Sequence, residues 1–119
     1  MGQTTATSLF RTIPPERVGL TGEYDHYGLA KRVTLAFNRM FETHEIGKLR
    51  VTQRGSVVVL MGNIDNQRLL IRLVQVAMGV SGAVDVEVNG VSVADCLKTY
   101  LDQPSKAVLI NLLNLVKQT

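Results

Sequence analysis

Two histidines, one cysteine and one pair of carboxylates are the residues of this chain best suited to acid–base, nucleophilic or metal chemistry. His26 and His44 stand in different segments, without the HxxxH or HExxH spacing that sets two imidazoles on one helix face. They read as surface residues. Cys96 follows Asp95 in a segment of helical pattern and has no CxxC partner, so it reads as a structural thiol and not a nucleophile. Asp85 and Glu87 alternate onto one strand face but lack a third acidic partner, which makes them a solvated face and not a metal site. No Walker glycine loop and no GxGxxG occurs. The residue types and spacings predict no enzyme, no metal and no cofactor.

Binding chemistry has more to work with. Residues 31–72 carry eight basic side chains against three acidic ones, while the segments on either side are each slightly acidic. Within that stretch Arg32, Arg39, Arg68 and Arg72 fall on the outer sides of two helical patterns. They are candidates for contact with an anionic lipid surface or a nucleic acid. The alternative is an ordinary solvated basic face. Gly79-Val80-Ser81-Gly82 spells the GXXG of KH domains, but KH needs that loop between two helices, and here a strand follows at once. A helix cap plus a link is the simpler reading. The aromatics form no strand-borne stacking platform.

The bulk properties fit a compact domain. The chain has 119 residues, with 45% hydrophobic and 19% charged, enough for one core without metals or disulfides. A single cysteine rules out an intrachain disulfide and fits a reducing compartment. The first residues have no apolar core of a secretory signal. The longest apolar run, Val57 to Met61, is far short of the roughly 20 residues of a membrane span. The expectation is a soluble, cytoplasmic protein, with a position peripheral to a membrane as the variant that the basic stretch allows.

Periodicity then supplies the scaffold. Residues 1–22 are rich in Thr, Gly and Pro and read as an extended or disordered leader, part of which Leu9, Phe10 and Ile13 could let dock on the domain. Asp25 is a plausible cap for a first helix to about Phe41, with Leu29, Val33, Ala36, Phe37 and Met40 on one face. Lys48–Gln53 and Ser56–Gly62 are β-rich, joined by a hairpin turn at Arg54-Gly55, and the second strand is apolar on both faces, so it should be central or covered on both sides. Asp65 is expected to cap a second helix over 66–79, apolar except for the stripe Arg68, Arg72 and Gln75. Ala83–Val88 alternates as a third strand, followed by a turn at Asn89-Gly90, a short strand end and a short helix. A last helix opens at Ser105. Its apolar arc holds Leu112, Leu113, Leu115 and Val116, with Ile110 set among the polar Asn111 and Asn114. That surface either packs on the domain or forms the interface of a homodimer.

In order and punctuation, residues 27–93 resemble a BON domain, through LRVTQRGSVVVLMGNI, DNQRLLIRLVQVAMGVSG and AVDVEVNGVSV. Gly55 corresponds to the hairpin glycine of that family, Gly62 to the glycine closing its second strand, and Gly82 to the one before its last strand. The resemblance leaves out a leader and a C-terminal helical extension, residues 94–119. It implies non-catalytic binding, through protein–protein contact or attachment to phospholipid surfaces. The fold expected is α+β: an α-β-β-α-β two-layer sandwich with two helices on a mixed three-stranded sheet, over residues 23–93, plus C-terminal helices. The function expected is a small adaptor or scaffold for a protein partner. The alternative is peripheral binding of anionic phospholipid or nucleic acid.

Overall fold

A computed structural model describes residues 12–64 and 66–96. After a 3-10 turn at Pro15–Arg17 come helix α1 (Gly28–Met40), the single turn α2 (Thr43–Ile46) and strands β1 (Arg50–Arg54) and β2 (Val57–Met61). Helix α3 (Gln67–Met78) and strands β3 (Asp85–Val88) and β4 (Val91–Ser92) follow. Strand order is β1-β2-β3-β4, with β2 and β3 parallel and the outer pairs antiparallel. The α+β class with a mixed sheet is as expected, but the sheet has four strands and not three. The reason is the Asn89-Gly90 turn. Both residues take positive φ, +49° and +89°, the pattern of a tight primed hairpin that turns the chain straight back along β3.

Alternation explains the layering. Val58 and Leu60 of β2 and Val86 and Val88 of β3 are fully or almost fully buried. They meet Leu29, Val33 and Phe37 of α1 and Leu70, Leu73 and Ala77 of α3 in one core. Each of these Val, Leu and Phe side chains contributes about 1.5–3 kcal/mol by leaving water, before the entropy of ordering is counted. On the other sheet face Val57 and Val59 are half-buried and Met61 is exposed, so among the described residues the helices cover one face only.

Local chemistry moves several boundaries. Asp25 is not the cap of α1, since Tyr27 holds that position. Asp25 instead shapes the turn before it: its carboxylate accepts from the Tyr27 N–H at 2.9 Å and pairs with Lys31 at 2.7 Å. The cap of α3 is Asn66, whose side-chain oxygen accepts from the N–H groups of Arg68 and Leu69; Asp65 lies outside the described residues. The hairpin loop is Gly55-Ser56, one residue later than expected, with Arg54 paired to Val57. Turn α2 carries a reciprocal capping box between Glu42 and Glu45 that the apolar pattern did not signal.

The larger difference is at the leader. From Pro15 onward it is folded onto the domain. Proline opens the 3-10 turn, Val18 bridges Tyr24, and the Gly19 N–H bonds the Glu23 carbonyl at 2.7 Å. Gly28 makes this docking possible. A Cβ there would sit 2.2 Å from the Val18 carbonyl oxygen. Gly28→Ala should therefore destabilise the chain by about 2 kcal/mol, although alanine is worth about 1 kcal/mol more than glycine in an ordinary helix. Urea unfolding measures this, and an alanine variant more stable than wild type would contradict the docking.

Candidate binding surfaces

The four arginines grouped by sequence do not form one set. Arg32 is tied down by main-chain carbonyls: Nε donates to Val18 O and Nη1 to Ser81 O, both at 2.7 Å, and Nη2 donates to Pro15 O. It clasps the leader to the link after α3. Arg39, Arg68 and Arg72 are exposed on the helix layer, and the Arg72 guanidinium lies 4.8 Å from the centre of the Phe41 ring. None of these three has an acidic partner among the described residues.

The three glycines singled out by pattern all have positive φ: Gly55 at +60°, Gly62 at +143° and Gly82 at +99°. At Gly62 the backbone also passes against the strand entry, so that a Cβ would lie 2.6 Å from Lys48 O. Asn89 locks the same point from the other side. Its amide oxygen accepts from the Gly62 N–H at 3.1 Å, and its amide nitrogen donates to the Gly62 carbonyl at 3.0 Å. Gly82 lies against Pro15 of the leader. The Gly79–Gly82 tetrapeptide is thus closed in by Pro15 and by the Arg32 bond to Ser81.

The remaining polar residues have structural partners. Glu87 pairs with Arg54, which holds its carboxyl below the usual range by hydrogen bonding. Asp85 accepts from the Ser92 hydroxyl and from the Ala94 N–H, anchoring the helical turn over residues 93–96. Burial first, and then Asp95 and Asp85, push the Cys96 thiol up, which disfavours a thiolate. His26 meets Arg17, while His44 lines a separate cleft of about 370 Å³ with Glu45, Lys48, Asn63, Asn66 and Leu69. Among the described residues no three His, Cys, Asp or Glu side chains gather as a metal site would require, and no helix is long and apolar enough to cross a membrane.

Two features were missed by pattern reading. The first is Gln53, the one buried polar residue among those described. Its side-chain oxygen accepts from the Ala30 N–H at 2.7 Å, and its nitrogen donates to Glu16 O and Gly55 O, both at 2.9 Å. It joins α1, the leader and the hairpin. The second is an open groove of about 500 Å³ between α1 and β1, walled by Leu20, Tyr27, Ala30, Leu35, Val51 and the polar Lys31, Thr34, Asn38 and Thr52. Leu20 and Tyr27 are each more than half exposed, at 52% and 53%. Strand alternation hints at neither, because Gln53 occupies an inward position of a charged edge strand and the groove draws on three separate segments. Residues Ile110, Leu112, Leu113, Leu115 and Val116, the expected self-association surface, lie outside the described residues.

Compared with known protein families, curated proteins and solved structures, the chain gives no match.

Proposed function

We propose that this chain is a non-catalytic adaptor whose BON-like unit, residues 27–93, binds a protein partner. The observation that carries this reading is the groove between α1 and β1, where Leu20, Tyr27 and Leu35 are left exposed around Val51. Apolar side chains gathered on a concave surface and rimmed by polar ones suit protein contact, since covering them removes apolar area from water. The element order and the positive φ of Gly55, Gly62 and Gly82 are consistent with the BON-like reading. The test is a photo-crosslinking residue placed at Leu35 of the full chain, with a second at exposed Gln75 on α3 as the control, in native lysate. Discrete protein adducts from position 35, absent from position 75, are expected. Equal labelling from both positions, or none from 35, would overturn the reading.

One observation favours a second reading, peripheral binding of anionic phospholipid or nucleic acid. Arg39, Arg68 and Arg72 present three exposed guanidinium groups without acidic partners among the described residues. Phosphate oxygens satisfy such groups well.

A further inference from the structure

We infer that the outer edge of β1, together with the α1 groove beside it, accepts an extended acidic peptide as an added strand. This rests on the protein-binding reading above and specifies the partner's chemistry and its mode of docking.

The hydrogen-bond parity of the sheet points to it. The carbonyls of Ser56, just before β2, and of Leu60 within it accept from the N–H groups of Val84 and Asn89, on the β3 side. Alternation then turns the main-chain groups of Val57, Val59 and Met61 toward β1, where they face Arg54, Thr52 and Arg50. The intervening residues Val51 and Gln53 consequently direct their N–H and C=O groups away from the sheet. β1 is an edge strand, and among the described residues nothing bonds those outward groups. A bare edge would be only a hazard to be shielded. This one is backed by the open groove of about 500 Å³, with Tyr27 and Leu35 on the helix side. An added strand would bond Val51 and Gln53 while every second side chain entered the groove.

Charge selects the occupant. β1 reads RVTQR and is preceded by Lys48, with no acidic residue in this run. Arg54 is neutralised by Glu87, whereas exposed Arg50 and Lys48 have no acidic partner among the described residues. A second copy of the chain, paired antiparallel about Thr52, would set Arg50 of one copy opposite an Arg54 already paired with Glu87, so it brings no free carboxylate to Arg50. A peptide alternating acidic and apolar residues gives each face what it lacks: carboxylates beside Arg50 and Lys48, and apolar side chains in the groove.

The test uses the full chain and two capped hexapeptides, one alternating glutamate with valine and the other lysine with valine. Before peptide is added, the Val51 amide, on a half-buried residue, should exchange with solvent quickly while Thr52 and Arg54 are protected. The glutamate peptide should protect Val51 and Gln53 and shift their NMR signals, and it should bind at least tenfold more tightly than the lysine peptide. Val51→Pro removes one outward donor without touching the β1–β2 ladder, as proline is tolerated on an edge; at least a tenfold loss of affinity is expected. Arg50→Glu, on the surface, should reverse the peptide preference and serves if the proline variant does not fold. Three results would overturn the proposal: Val51 already protected in the chain alone, by its own residues or a second copy; equal binding of both peptides; or no binding. With adducts still formed at Leu35, any of these would leave protein contact standing and remove only the added strand.

Discussion

Gly62→Val is expected to cost about 4 kcal/mol of stability, through two effects that act at one atom. The φ of +143° belongs to a region that side-chain-bearing residues rarely enter, at a cost of about 1–3 kcal/mol. In addition, the new Cβ would lie 2.6 Å from Lys48 O and 3.2 Å from the Leu49 Cα, both main-chain atoms at the entry to β1. Backbone cannot swing aside as a flexible side chain does, and the Asn89 amide fixes Gly62 on its other flank. Gly55 separates the two contributions. Its φ is +60°, and a Cβ there meets nothing within 4 Å, so Gly55→Ala should cost only the conformational share, about 1 kcal/mol. Urea midpoints for Gly55→Ala, Gly62→Ala and Gly62→Val measure the difference. Equal losses from the two alanine variants would show that the close approach to Lys48 has no energetic weight.

Arg32→Glu is expected to cost at least about 3 kcal/mol, while Arg39→Glu and Arg68→Glu should each stay within about 0.5 kcal/mol of wild type and Arg72→Glu, which gives up its contact with the Phe41 ring, within about 1 kcal/mol. Hydrogen bonds to a charged donor are worth about 1.5–3 kcal/mol each, with losses at one residue not fully additive. Arg32 makes three of them, to Pro15, Val18 and Ser81. A carboxylate in that place would face carbonyl oxygens with nothing to donate. The other three arginines are exposed and make no ion pair among the described residues, so reversing their charge disturbs little of the fold. Limited proteolysis near Pro15 gives a second readout, since loss of the clasp should release the leader in Arg32→Glu alone. Four variants of equal stability would contradict the clasp.

These results bear on what can be read from sequence. Apolar spacing identified α1, α3 and the central strand because the buried faces at 29, 33 and 37, at 69, 70, 73 and 77, and at 58 and 60 keep the periods of helix and strand. Capping was harder. Asp65 and Asn66 are both good caps, and only the extended backbone of Asn66, at φ −127° and ψ 116°, selects it. Arg32 looked like its neighbours for a physical reason. Its partners are carbonyl oxygens, which every residue carries, so no side-chain pattern marks the acceptors. The docked leader was hidden for the same reason, although Gly28 and Gly82 are its trace in the sequence: each makes room for the backbone of residues 15–18. The groove between α1 and β1 was not legible because Leu20, Leu35 and Val51 meet only once the leader has folded back.

The salt dependence of the adduct formed at Leu35 tests the central claim most directly. If the partner is held by apolar contact in the α1–β1 groove, raising salt from 50 to 200 mM should reduce adduct yield less than about tenfold, because exposed charge contributes only part of the binding. Arg39→Glu, Arg68→Glu and Arg72→Glu combined should leave that yield unchanged. If the chain instead binds phosphates through those three arginines, affinity should fall about 40-fold over the same range, and the triple variant should abolish binding. A Leu35 adduct that survives both changes is the predicted result, and one lost to both would contradict the account.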